Sequence, residues 1–113
     1  MSNLMENLAA KHCATLRGAE HRLTADEIAS GLQAISGWQV LNDELVQEFK
    51  FSDYYRSIAF VNALAFVAHA EDHHPDLSVH YNRVQVRFST HDVGGLSIND
   101  FICAAKVDVL IST

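Results

Sequence analysis

A single proline divides the most regular stretch of this chain. Upstream of Pro75, apolar residues recur at helical spacing. Ile58, Val61, Leu64, Ala65 and Ala68 share one face, and Phe60, Ala63 and Val67 widen it. Downstream, Leu77-Ser78-Val79-His80-Tyr81 and Val84-Gln85-Val86-Arg87-Phe88 alternate with period two. Proline cannot continue a helix, and it biases the residue before it away from the α region. A long helix must therefore end at about Asp72 to His74, with a hairpin after it. So wide an apolar face predicts a helix buried between a sheet and another surface.

The remainder follows the same grammar. Thr24-Ala25-Asp26-Glu27 is a capping box, and Ile28, Leu32 and Ile35 then recur at helical spacing. Gly37 is expected to end that helix. Trp38–Leu41 and Leu45–Phe49 read as short strands about an Asn42-Asp43-Glu44 turn. Ser52 or Asp53 can cap the long helix. After Gly94-Gly95, Ser97-Ile98-Asn99-Asp100 resembles a capping box with Asp in place of Glu. It opens a last helix carrying Phe101, Ile102, Ala105, Val109 and Leu110. The order αββαββα predicts an α+β fold, a four-stranded antiparallel sheet with three helices packed on one face. Residues 1–22 read as an N-terminal extension outside the main fold, in which Leu4, Leu8 and Cys13 could make a short helix. Residues 23–113 read as the folded domain.

At 113 residues one domain is expected, and a hydrophobic fraction of 49% argues against disorder. The formal net charge of −6 opposes direct binding to nucleic acid or to an anionic membrane surface. No stretch approaches the ~20 apolar residues needed to span a bilayer. Glu6 and the lack of a long apolar run near the start argue against a secretory signal. Lys11, Arg17 and Arg22 leave an organelle transit peptide open. Cys13 and Cys103 lie far apart with no zinc-type spacing, and Cys103, in an apolar run, reads as a buried thiol. A disulfide framework is not expected, and a reducing, cytoplasmic setting fits.

The chemistry concentrates in Glu71-Asp72-His73-His74-Pro75, with His91 and Asp100 downstream. Imidazole is the side chain whose unperturbed pKa suits proton traffic near neutrality. A two-residue loop at Asn82-Arg83 would pair Tyr81 with Val84, Val79 with Val86 and Leu77 with Phe88. Continued outward, that register sets His74 opposite His91 and gathers three imidazoles at one end of the sheet. The C-terminal end of the long helix and Asp72 both favour imidazolium there, and burial opposes it. Plainer readings stand beside this one. Adjacent exposed histidines are common. His69 and His73 have a metal-ligand spacing, but the helix ends there and neither HExxH nor a cysteine pair accompanies them. Acid–base chemistry without a metal is the better reading. Trp38 reads as core or as a ligand platform, and Asp100 as a helix cap or a site residue. His80 should be solvated, and His12 and His21 lie in the extension.

Asp72-His73-His74-Pro75, an aromatic at Tyr81, Ser89-Thr90-His91, Gly95-Leu96-Ser97 and Asp100 together resemble the pterin-4a-carbinolamine dehydratase family. The resemblance runs from Leu23 to about Val109, and Gly37-Trp38 matches the entry to the first strand. It implies dehydration of 4a-hydroxytetrahydropterin to quinonoid dihydropterin, with no cofactor or metal, in the recycling of tetrahydrobiopterin. His73 and His91 would take acid–base roles, and His74 would hold the pterin. Asp72, Ser89, Thr90, Asp92, Trp38 and Asp100 would contribute to substrate binding. A homodimer or homotetramer and a functional link to an aromatic amino acid hydroxylase are implied partners. Where some members carry a glutamate four residues before the first histidine, this chain has His69, and Glu71 or Asp72 could substitute. Two other readings stay open. One is a non-catalytic dimerisation or coactivator-type binding module using the last helix. The other is action on a different pterin, as in molybdenum-cofactor metabolism.

Overall fold

The computed structural model describes residues 4–112. Its main elements are α1 (Ala25–Ala34), β1 (Gln39–Leu41), β2 (Glu44–Lys50), α2 (Tyr54–Glu71), β3 (Asp76–Val79), β4 (Arg83–Phe88) and α3 (Ile98–Ser112). Short 3-10 turns occur at Leu8–Ala10, Ala19–His21 and His91–Val93. The strands form one antiparallel sheet in the order β1-β2-β4-β3, and the three helices pack on one of its faces.

Local chemistry accounts for most of the boundaries. Thr24 accepts from the Glu27 N–H while Glu27 accepts from the Thr24 N–H, the reciprocal capping box expected. Asn42 and Asp43 both adopt positive φ, 52° and 60°, which a two-residue hairpin turn requires. Asp53 caps α2 by accepting from the Arg56 N–H. The helix-facing side of the sheet carries Leu45 and Phe49 of β2 and Val84, Val86 and Phe88 of β4. Burying each such side chain is worth roughly 1.5–3 kcal/mol. The other side is mostly polar; there Arg87, opposite the buried Val46, donates to Ser78 and Gln85.

Gly31 is needed for a close approach. A Cβ there would come 2.5 Å from Cε1 of Phe101, so α1 lies directly on that buried ring.

Five expectations are corrected. First, α1 ends at Ala34, before Gly37, because Ile35 turns extended to enter the core. Second, the β3–β4 register is shifted by two, with Val79 opposite Val84 and Leu77 opposite Val86. The turn centres on Tyr81-Asn82 because both carbonyls are tied down. Tyr81 O accepts from the Ser57 hydroxyl, and Asn82 O from the Phe51 N–H. A slip of two keeps every residue on its face but does not place His74 opposite His91. Third, α2 is covered on one side only. Ser57, Phe60, Leu64 and Ala68 are buried, whereas Tyr55 and Phe66 are 81% and 78% exposed. Fourth, α3 is the central helix rather than a surface one, with Asn99 to Ala105 and Val107 buried. Fifth, the N-terminal segment belongs to the folded domain rather than lying outside it. Met5 and Leu8 join the core, Lys106 donates to Ala9 O, and Asn99 exchanges hydrogen bonds with the main chain of Ala14.

Candidate active site

The end of α2 sets the site. Asp72 adopts the left-handed conformation (φ 51°, ψ 42°). Its N–H donates to His69 O, and the N–H of His73 donates to Ala68 O. This closing pattern satisfies the last carbonyls of the helix and turns the chain sharply. Pro75 then leads into β3.

After that turn His73 and His74 lie in different surroundings. The His73 side chain is 13% exposed, and its ring stacks on Phe88 with centroids 6.0 Å apart and planes 10° apart. Its Nε2 lies 2.6 Å from Oδ1 of Asp100. His74 is exposed and lines a hollow of about 180 Å³ with Leu64, Ala65, Ala68, Pro75 and Leu77.

Asp100 is fully buried at the start of α3. Its Oδ2 reaches back to the Ser97 N–H at 2.9 Å, as a capping carboxylate does, and also accepts from the Thr90 hydroxyl at 2.8 Å. One residue is therefore both helix cap and histidine partner, which bears out the cap reading of Asp100.

His91 is exposed and opens the 3-10 turn that follows β4. It lines a second hollow, of about 350 Å³, with Ser89, Thr90, Gly94, Gly95, Asn42, Asp43, Glu44 and Asp76. Thr90 belongs to both places. Its side chain faces inward to Asp100, and it borders the hollow at the His91 end. The exposed Asp92 meets the N-terminal segment through its carbonyl, which accepts from the Gly18 N–H at 2.9 Å.

Trp38 is buried, its ring against Phe49 and Phe88 and its indole N–H donating to Asp108 at 2.9 Å. Phe88 touches both rings, that of Trp38 and that of His73. Burial raises the Asp108 carboxyl above its ordinary value, against the bonds from Trp38 and the Ser36 N–H.

Glu71 does not stand in for a glutamate at position 69. Its oxygens are taken by the N-terminal segment, the Cys13 N–H at 2.7 Å and His12 Nδ1 at 2.9 Å. Burial alone would raise this carboxyl, but these bonds and Lys106 hold it below its ordinary value. His12 thus helps to dock that segment. The sulfurs of Cys13 and Cys103 meet at 3.6 Å. That contact, burial and nearby negative groups push the Cys103 thiol well up. Among the described residues, no three or more His, Cys, Asp or Glu side chains are arranged to hold a metal ion.

The sequence reading missed Ser97 as a site residue and the inward role of the Thr90 hydroxyl. The cap signal named Ser97, and nothing in the pattern tied it to Thr90.

These features define an α+β domain in which a buried carboxylate holds a histidine and, through Thr90, adjoins a polar hollow. Residues 21–110 match the family profile of Pterin 4 alpha carbinolamine dehydratase, and the chain belongs to that family. A provisionally named pterin-4-alpha-carbinolamine dehydratase of Xanthomonas campestris is 56% identical over 102 residues, which is 88% of this chain and 86% of the relative. A similarly named Stenotrophomonas maltophilia protein is 55% identical over 105 residues, 91% of this chain and 90% of the relative. The crystal structure of a transcriptional coactivator/pterin dehydratase from Brucella melitensis superimposes with a TM-score of 0.76 at 34% identity, covering 79% of this chain and 97% of that one. A pterin dehydratase-like protein identified as a RuBisCO assembly factor in the alpha-carboxysome aligns with a TM-score of 0.55 at 25% identity, covering 67% of this chain and 88% of that one. Among the described residues, no helix is long and apolar enough to cross a membrane.

Proposed function

We propose that this chain dehydrates a 4a-hydroxytetrahydropterin to the quinonoid dihydropterin by histidine acid–base catalysis, as a step in tetrahydrobiopterin recycling in the cytoplasm. The observation that carries the reading is the His73–Asp100 pair, whose partner Thr90 adjoins the hollow that His91 lines. Family membership supplies the substrate class.

The reaction needs two proton movements. The C4a hydroxyl must gain a proton to leave as water, and the N5 hydrogen must be lost. His73, anchored on a carboxylate, suits the group that takes a proton, because the imidazolium formed is stabilised by Asp100. His91, exposed beside the hollow, suits the group that gives one. Each contribution is typically worth about 10²–10⁴-fold. Main-chain groups of Ser89 and Thr90, with Asp92 and Asp72 at the margins, suit the polar pterin edge. His74 holds the ring from the side of α2. The test is turnover of the purified chain on 4a-hydroxytetrahydropterin with a chelator present. Acceleration that the chelator leaves intact supports the reading, and a folded chain without acceleration refutes it.

A second reading concerns assembly. The exposed apolar side of α2, with Tyr55 and Phe66, is a surface for a homodimer or homotetramer or for a coactivator-type partner. On α3 Phe101 is fully buried, which leaves the exposed Val109 and Ile111 near its end as the part of that helix open to a partner. Phe66→Glu should lower the solution mass measured by light scattering if this surface joins copies of the chain.

A further inference from the structure

The carboxylate of Asp100 stands at the end of a one-way chain of hydrogen bonds. Its Oδ2 accepts from the Ser97 main-chain N–H and from the Thr90 hydroxyl. Thr90 has one hydroxyl proton and spends it there. At the 2.7 Å contact between the Thr90 and Ser97 hydroxyls, Ser97 must therefore donate. Ser97 Oγ in turn accepts the main-chain N–H of Asn99 at 3.2 Å. Thr90, Ser97, Asn99 and Asp100 are all buried, and among the described residues no buried side-chain nitrogen or oxygen lacks a partner.

This polarity decides which ring nitrogen of His73 carries hydrogen. A proton on Oδ2 would oppose the Ser97 main-chain N–H and would need the Thr90 hydroxyl to reverse and accept it. Two donors favour the carboxylate, so the hydrogen in the 2.6 Å contact belongs to Nε2 of His73. Stacking on Phe88 holds the ring in that plane.

We infer that Thr90 and Ser97 are positioning residues. They keep Asp100 a pure acceptor, fix neutral His73 as the Nε2–H tautomer, and leave Nδ1 as the ring atom that takes up a proton. The catalytic part of this inference rests on the acid–base role proposed for His73. The tautomer itself does not.

The experiment is nitrogen NMR of the histidine-labelled full chain without substrate, on wild type and Asp100→Asn. Wild type should show His73 protonated at Nε2 and bare at Nδ1. In the Asn variant, the Thr90 hydroxyl and the Ser97 N–H should claim the amide oxygen. The amide NH₂ then faces Nε2 and donates, so His73 should switch to the Nδ1–H form. Turnover should fall by about 10²–10⁴, the worth of one acid–base group, with KM within a few-fold of wild type. Thr90→Ser, which keeps the hydroxyl, should retain the wild-type tautomer. Wild type found as Nδ1–H overturns the inference, as does an Asn variant that stays Nε2–H. If the tautomers follow this pattern but His73→Ala retains full turnover, the ring positioning stands and the catalytic role of His73 falls.

Discussion

Nε2 of His73 lies 2.6 Å from Oδ1 of Asp100, joining the end of α2 to the first turn of α3. The carboxylate is fully buried, so the pair is structural as well as chemical. Asp100→Ala would leave the Ser97 N–H, the Thr90 hydroxyl and the His73 ring without their acceptor. Each such group costs about 1–3 kcal/mol when it stays buried. Urea unfolding should show a loss of several kcal/mol, among the larger effects available to one substitution in this chain.

Asp72 offers a way to separate stability from substrate contact. It holds a positive φ of 51°, a conformation that glycine adopts freely. Relief at the turn and the extra freedom of the unfolded chain are of similar size, each up to about 1 kcal/mol. Asp72→Gly should therefore unfold within about 1 kcal/mol of wild type. Loss of turnover without loss of stability would identify its carboxylate as a pterin contact.

Gly31→Ala should destabilise although alanine is the better helix former by up to about 1 kcal/mol. The new Cβ would lie 2.5 Å from a ring carbon of fully buried Phe101, which has no room to retreat. Overpacking of this kind costs about 1–3 kcal/mol, so the net effect should be a lower melting temperature. A higher one would show that α1 can lift away from α3.

Cys103 gives a pH signature. The hydrogen bond with Cys13, burial and nearby negative groups raise its thiol above the ordinary value of 9.0. The unfolded chain therefore releases this proton at lower pH than the folded one. Stability linked to this group is intact below about pH 9 and declines above it, by at most about 1.36 kcal/mol per unit. Cys103→Ala, which costs packing at every pH, should show a shallower decline between pH 9 and 10.5 than wild type. Equal slopes would contradict the assignment.

Much of the fold was legible because local signals agreed with one another. The Thr24 box, the Asn42-Asp43 turn, the Asp53 cap and the break before Pro75 each rest on contacts within a few residues. The hairpin register was not legible. Its turn is held by Ser57 and Phe51, which no local rule connects to Tyr81 and Asn82. His73 and Asp100 were identified as candidates, but not as partners. The motif shows which residue types matter, whereas the pairing depends on how α2 ends and α3 begins. The docking of the N-terminal segment was invisible for the same reason. Glu71, Asn99 and Lys106 hold it through bonds to main-chain groups, which leave no pattern in the sequence.

The most direct test of the catalytic account is the turnover of His73→Ala and His91→Ala on 4a-hydroxytetrahydropterin, measured beside wild type. Each variant should remain folded and lose about 10²–10⁴ in kcat, because each imidazole moves one of the two protons. Folded variants that dehydrate the substrate at the wild-type rate would contradict it.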